Sequence, residues 1–256
     1  MSLLHKALAS FGIGAAKVDT KIEQSVFTVG QIVQGEVHIH GGNVNQHIDA
    51  IFLNVYTSYI HESNDLKHIE HASITQVKVT EPFTIQASEE RVIPFSFTLP
   101  IDCPVTMGKT NVWIKTSLAI SNAINPKDED YIEVQPTPLV ADILDEITNL
   151  GFRLREVECE KASYKLRNHY PFVQEFEFVP TGGSFRGKLD ELEIIFTAQA
   201  IDSVELLMQV DRKARGLSGL LSEALEMDES YVRFTINQHD IPNLRGTLQK
   251  LISKFA

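Results

Sequence analysis

Histidine is the residue type in this sequence with the clearest potential for chemistry, because six of the nine histidines fall within one short stretch. His38 and His40 alternate with apolar residues in a predicted strand, so both imidazoles lie on one face. With a third ligand from the segment 61–71, HESNDLKHIEH, they could hold zinc or copper. A polar sheet face followed by a polar hairpin loop accounts for the same residues without a metal. The six histidines are His38, His40, His47, His61, His68 and His71.

The two cysteines, Cys103 and Cys159, lack the surroundings of a catalytic thiol. Pro104 follows Cys103 where a helix start would be needed to stabilise a thiolate. The alternating run 91–99 ends at prolines, which places Cys103 in a turn. Cys159 shares a strand face with Val157 and is predicted to be a core residue. Two cysteines form neither a disulfide framework nor a zinc site, which is typical of a reducing cytoplasm.

A glycine-rich segment, GGSFRGKL at 182–189, partly matches a phosphate-binding loop. Gly182, Gly187 and Lys188 have the required spacing, but Leu189 stands where a magnesium-binding serine or threonine is needed. The chain then continues with strand alternation, whereas a phosphate loop must open a helix. We therefore predict a hairpin loop and no nucleotide or other cofactor.

The elements that must position these residues are mostly short strands. Alternating segments recur between Gly30 and Pro136, separated by turn residues, which predicts an antiparallel β-sandwich. The segment 137–151, TPLVADILDEITNLG, changes to helical spacing, with a start signal at Thr137 and a stop at Gly151. A second series of alternating strands follows it. Two core faces are predicted there, one formed by Leu192, Ile194, Phe196 and Ala198 and the other by Val204, Leu206, Met208 and Val210.

Two further helices are predicted in the second half of the chain. The segment 215–228, RGLSGLLSEALEMD, is predicted to be a short helix between strands. The last one runs from about Ile241 to Phe255 and carries an apolar stripe that includes Leu248 and Leu251. This stripe could dock on the second sandwich, which we favour, or on a second copy of the chain.

The predicted fold class is mainly β: two tandem arrestin-like antiparallel β-sandwiches with short connecting and terminal helices. Residues 1–136 form the N-terminal sandwich with a short N-terminal helix, and residues 137–151 form the connecting helix. Residues 152–256 form the C-terminal sandwich with the terminal helix. Within the first sandwich, Phe97 should point inward and Ser96 outward.

The charge balance bears on the class of partner. Lysine and arginine total 23 against 34 for aspartate and glutamate, a net charge of −11. Phosphate backbones and anionic lipid surfaces are repelled on average, so nucleic acid and stable membrane insertion are not expected. No segment has the length of a transmembrane helix, and the N-terminus lacks the pattern of a signal peptide. The single tryptophan, Trp113, disfavours a carbohydrate-binding sandwich.

Three segments resemble a known family. VFTVGQIVQGEVHIHGG (26–42) resembles the opening strands of arrestin-like domains, and IPFSFTLPIDCPVT (93–106) with NVWIKTSLAI (111–120) resembles a later strand, proline turn and return strand. The full chain is similar to the bacterial sporulation-control proteins of the stage-zero M class. The resemblance implies a cytoplasmic regulator that acts through protein contacts, and it brings no catalytic residues.

We therefore predict a non-enzymatic cytoplasmic regulator of sporulation that acts as an arrestin-like protein-interaction scaffold. Its partners are proteins of unknown identity, and a homodimer is a further possibility. Catalytic residues, cofactor-binding residues and metal ligands are each predicted to be absent. The alternative function is a metal-responsive or metal-binding protein that uses the His38 and His40 cluster.

Overall fold

The computed structural model describes residues 15–63, 66–120, 125–164, 166–212 and 231–254. The chain divides into two compact units. The first comprises 1–58, 71–105 and 111–135, and the second comprises 59–70, 106–110 and 136–256. The short helices predicted at the N-terminus and over 215–228 lie outside the described residues.

The first unit is built from two sheets. Strand β3 pairs with β1 and β7 in one sheet, and β4 pairs with β5, β6 and β8 in the other, which β9 and β2 extend. The β2–β9 pair is parallel, whereas β1–β3, β3–β7, β4–β8 and β8–β9 are antiparallel. The strands are β1 (Lys17–Ile22), β2 (Val26–Thr28), β3 (Ile32–His40), β4 (Gln46–Ser63), β5 (Leu66–Lys78), β6 (Phe83–Ile85), β7 (Glu90–Thr98), β8 (Val112–Ile120) and β9 (Lys127–Gln135).

Strand alternation decides which side chains form the core of this unit. Phe97 is buried and Ser96 exposed, which confirms the predicted inward face of β7. The strand ends at Thr98, and the Cys103 N–H then donates to the Pro100 carbonyl at 3.1 Å. Cys103 therefore lies in a turn, as the flanking prolines predict.

The second unit contains an antiparallel series of strands paired in chain order from β10 to β14. Its inward face matches the predicted stripe on β13, where Val204, Leu206 and Met208 are buried. On β12 the prediction that Ala198 shares the core face was wrong, because the register shifts between Phe196 and Ala198 and exposes Ala198. The strands are β10 (Phe152–Lys161), β11 (Phe172–Pro180), β12 (Leu189–Gln199), β13 (Ser203–Arg212) and β14 (Tyr231–Asn237).

The helix predicted over 137–151 is α1, Pro138–Asn149. The Thr137 hydroxyl caps it by accepting from the Val140 N–H at 3.3 Å. Gly151 ends it with φ +101°, a conformation that favours glycine. The apolar stripe of α1 is buried, and the helix contacts β10 and β13 within the second unit.

The terminal helix begins later than predicted. A 3-10 helix spans Gln238–Asn243, and the α-helix α2 covers Leu244–Ser253. Pro242 cannot donate a backbone hydrogen bond, so the α-helix starts beyond it and not at Ile241. Leu244, Leu248 and Ile252 are buried, Leu251 is half-buried, and α2 packs on α1 within the second unit; Phe255 lies outside the described residues. Self-association stays a prediction.

The mainly β fold class is confirmed by these elements. The boundaries at 136/137 and 151/152 stay a prediction, since the division into compact units also assigns 59–70 and 106–110 to the second unit. None of the helices in the described ranges is long and apolar enough to cross a membrane.

Candidate functional site

The segment 61–71, predicted to be a polar loop, is largely strand. Strand β4 continues to Ser63 and β5 begins at Leu66, so the loop prediction was wrong. Polar side chains of the two strands form hydrogen bonds with each other here, as Tyr59 and His61 do with Glu70. These bonds stabilise the strand pair without the alternation of apolar and polar residues by which strands are predicted from sequence. We call residues 59–63 and 66–70 the β4–β5 end; they belong to the second unit.

Four polar side chains form a connected network at the β4–β5 end. The Tyr59 hydroxyl donates to Glu70 Oε2, and His61 Nδ1 lies 2.8 Å from Glu70 Oε1. Lys161 Nζ lies 2.7 Å from His61 Nε2. Because the ammonium group can only donate, Nε2 accepts and the ring proton is on Nδ1, from which it is donated to Glu70. Both ring nitrogens of His61 are therefore engaged.

The electrostatics of this network favour a structural role. The hydrogen bond to Glu70 raises the pKa of Tyr59, and the same bond, followed by that from His61, lowers the pKa of Glu70. The Tyr59 ring is buried and stacks on Phe172 with ring centres 5.8 Å apart. An ionised carboxylate holding two donors, beside a buried ring, fixes the positions of the strands that carry it.

Carboxylates occupy the neighbouring strands of the second unit. Glu160 on β10 pairs with Ile60 of the β4–β5 end, and Glu158 pairs with Glu175 on β11. Burial, a hydrogen bond with Glu158 and the charge of Glu175 raise the pKa of Glu160 to about 7. Burial and the charges of neighbouring glutamates also raise the pKa of Glu175. Sequence reasoning missed this arrangement, since strand pairing brings these acids together.

The β4–β5 end also exposes apolar side chains. Leu66 is 62% exposed and Ile69 is 75% exposed, both on β5. Lys67, between them, lies close enough to Glu160 to oppose the rise in its pKa. Alternation places Ile69 on the same side of β5 as Lys67, and so towards the carboxylates.

The histidines of the first unit are each engaged separately. His38 Nε2 lies 2.9 Å from Glu36 Oε2, and His40 Nδ1 lies 3.7 Å from a Glu90 oxygen. The His71 ring meets the Trp113 ring edge-on at 5.0 Å. In the part of the chain that the structure describes, no group of three or more His, Cys, Asp or Glu side chains is arranged to hold a metal ion. The metal-binding alternative stays a prediction.

The remaining candidate residues lie in structural positions. Cys103 and Cys159 are both buried, with Cys159 Sγ 3.8 Å from Thr110 Oγ1. The glycine-rich loop forms a 3-10 turn over Gly183–Phe185, and Lys188 then leads into strand β12. The predicted loop between strands is therefore present where a phosphate-binding loop would need a helix.

Known proteins match this chain over most or all of its length. A family model described as SpoOM protein matches residues 4–214. The chain belongs to the Spo0M family. It is 44% identical over 259 residues to the sporulation-control protein Spo0M of Bacillus subtilis strain 168, covering 100% of each chain. The crystal structure of Bacillus subtilis Spo0M is similar with a TM-score of 0.86 over 95% of this chain and 100% of that chain, at 44% identity.

Proposed function

We propose that this chain is a non-enzymatic regulator of sporulation that acts as an arrestin-like scaffold by binding partner proteins in the cytoplasm. Membership of the Spo0M family and full-length similarity to a protein named for sporulation control support the regulatory role. The resemblance of segments 26–42 and 93–120 to arrestin-like domains supports a scaffold by analogy of fold.

The β4–β5 end is the observation that carries this proposal. Its strands are fixed by the Tyr59–Glu70–His61–Lys161 network, yet Leu66 and Ile69 remain largely exposed. Alternation places Leu66 and Ile69 on opposite sides of β5, so each side of this ordered strand offers one exposed apolar contact to a partner. A rigid surface of this kind loses little conformational entropy when a partner binds.

The test combines affinity capture of bound proteins with spore counts. Tagged full-length protein replaces the native copy in its spore-forming host, and bound proteins are identified as cells enter starvation. We expect at least one protein to be enriched by the wild type and lost from a Leu66→Glu/Ile69→Glu variant, with spore counts changed in the same direction as in the deletion strain. The matched control is Ile201→Glu, because Ile201 is 83% exposed in the loop between β12 and β13.

Two results would contradict the proposal. One is that the wild type enriches no protein over an untagged control. The other is that the Leu66→Glu/Ile69→Glu variant remains folded and supports normal sporulation with no partner bound. Either result would remove the reason for regarding the β4–β5 end as a binding surface.

A further inference from the structure

One side of the second unit combines carboxylates with an exposed isoleucine. Glu158 and Glu175 are directly paired across β10 and β11, and Glu160 lies two residues along β10 on the same side. Ile60 is paired with Glu160, and Ile69 projects beside Lys67. We call this group the acidic face; it is formed by the buried Glu158, the half-buried Glu160, Glu175 and Ile60, and the exposed Ile69.

Among the described residues of the second unit, cations neutralise only part of this negative charge. Lys109 Nζ lies 3.2 Å from Glu158 and also contacts Glu156. Arg155 is engaged by Glu177 and Glu191. These two cations thus serve four carboxylates, and Glu160 has Lys67 as the cation that favours its ionised form.

The carboxyl groups of the acidic face are paired closely enough to disfavour their ionised forms, in addition to the larger effect of burial. The pKa of Glu160 is about 7, and burial together with neighbouring carboxylates accounts for the rise. The pKa of Glu175 is raised by burial and by the charges of Glu191 and Glu158. A carboxyl group in this state gains favourable interaction energy when a positive group approaches, since the charge repulsion is then relieved.

We propose that the acidic face binds an extended segment of a partner protein that carries lysine or arginine next to an apolar side chain. This inference rests on the proposed function, because it names the chemistry of the partner that the scaffold binds. The apolar side chain would pack on Ile69, which is 75% exposed. The cations would approach Glu160 and Glu175, so that apolar contact contributes affinity and charge contributes selectivity.

The charge of the face argues for a protein segment as its occupant. Phosphate groups of a nucleic acid and anionic lipid headgroups are repelled by the same carboxylates. A neutral apolar partner would form no favourable charge interaction with Glu158, Glu160 and Glu175. The proximity of these carboxyl groups disfavours their ionised forms, and a neutral partner would not relieve that repulsion. Charge complementarity therefore selects a basic partner.

Fluorescence anisotropy with defined peptides tests the proposal on the full-length protein. The probe is a short fluorescein-labelled peptide of alternating lysine and leucine, compared with peptides in which glutamate replaces lysine or serine replaces leucine. We expect saturable binding of the first peptide alone. Glu160→Gln/Glu175→Gln and Ile69→Ser should each weaken it by about tenfold, the effect of losing one substantial contact.

Matched substitutions make this result specific to the acidic face. Glu133→Gln removes an exposed carboxylate from β9 of the first unit, and Ile201→Ser removes an exposed isoleucine elsewhere in the second unit. Both should bind the peptide as the wild type does. Equal weakening by Glu133→Gln would show general attraction to an acidic protein and would overturn the proposal, as would equal weakening by Ile201→Ser.

The pH dependence of binding gives a second readout. Glu160 faces Glu158, Glu175 and Lys67, and among these groups the raised pKa values belong to Glu160 and Glu175. Ionisation of Glu160 between pH 6 and pH 8 should strengthen binding of the lysine peptide, with proton release near pH 7. Binding that is unchanged over this range, or a pH dependence that persists in Glu160→Gln/Glu175→Gln, would overturn the proposal.

The two levels of inference fail separately. Absence of peptide binding, while affinity capture still yields a partner that depends on Leu66 and Ile69, overturns the basic-segment proposal alone. Failure of affinity capture by the wild type overturns the proposed function, whatever the peptide does.

Discussion

Carboxylates gather in both units of the chain, and the two clusters differ in what surrounds them. In the first unit, Asp19 on β1 lies near Asp128 and Asp130 on β9, and burial with these charges raises the pKa of Asp130 to about 6. The second cluster is the acidic face, where the pKa of Glu160 is about 7. Similar titration behaviour therefore arises at two places with different surroundings.

The first cluster has a structural role, because one of its carboxylates accepts a backbone hydrogen bond. Asp128 Oδ2 accepts a 2.7 Å hydrogen bond from the Thr20 N–H, which ties β1 to β9, and Thr20 Oγ1 lies 2.6 Å from Thr116 Oγ1. The acidic face instead includes the exposed Ile69. The comparison teaches that a raised pKa does not by itself distinguish a structural carboxyl group from one poised to bind; the neighbouring donors and apolar groups do.

The largest expected effect comes from removing the helical support of the second unit. Leu248→Asp places a charge where a leucine of α2 is fully buried, and should lower the free energy of unfolding of this unit by about 4 kcal/mol or more. Urea denaturation followed by hydrogen exchange localises the loss. Gln249→Asp, at an exposed position of the same helix, is the control and should change stability by less than about 0.5 kcal/mol. Equal effects would mean that α2 does not support the second unit.

A smaller loss is expected from Asp128→Ala, which breaks the structural cluster. The Thr20 N–H would lose its acceptor, and an unsatisfied, partly buried donor costs about 1–3 kcal/mol. Chemical denaturation measures the change, with Glu133→Ala on the same strand as the control. A stability equal to that of the wild type would show that the first cluster does not tie β1 to β9.

The smallest expected effect is a gain in stability from Asp130→Asn. The pKa of Asp130 in the folded chain, about 6, is above its ordinary value of 3.8, so ionisation opposes folding. The protonated Asp130 carboxyl group contributes its full stabilisation below pH 3.8, and this stabilisation is lost as the pH rises through about 6. At pH 8 the variant should therefore exceed the wild type by about 1 kcal/mol, after allowance for solvent screening.

The pH series provides the check on that sign. The advantage of Asp130→Asn should shrink as the pH falls from 8 to 5, and the variant should bind the lysine–leucine peptide as the wild type does. A stability advantage that grows on acidification would contradict the cause assigned to the raised pKa.

Much of the fold could be predicted from local pattern. Alternation identified the buried side of β7, where Phe97 is buried and Ser96 exposed, and Thr137 with Gly151 bracketed α1. These features depend on neighbouring residues and on backbone preferences that each segment carries itself. The error at Ala198 arose from a register shift, which depends on the partner strand.

The candidate site could not be predicted in the same way, because its members meet through long-range pairing. His61 and Glu70 were interpreted as loop residues, and only their hydrogen bond to each other shows why polar residues continue a strand. The sequence has no local signal that Glu158 will face Glu175, since that depends on the register of β10 against β11. Only the alternation of the glutamates along β10 could have indicated an acidic side.

The central claim, that partner proteins bind at the β4–β5 end, is tested most directly by site-specific photocrosslinking in the sporulating host. A photoreactive phenylalanine derivative is placed at Ile69, which is 75% exposed, or at Ile201, which is 83% exposed, and crosslinked products are identified by mass spectrometry. The account predicts a discrete protein adduct from position 69, rich in lysine or arginine at the crosslinked segment, and none from position 201. Adducts of equal yield from both positions, or none from position 69 in a chain that supports sporulation, would contradict it.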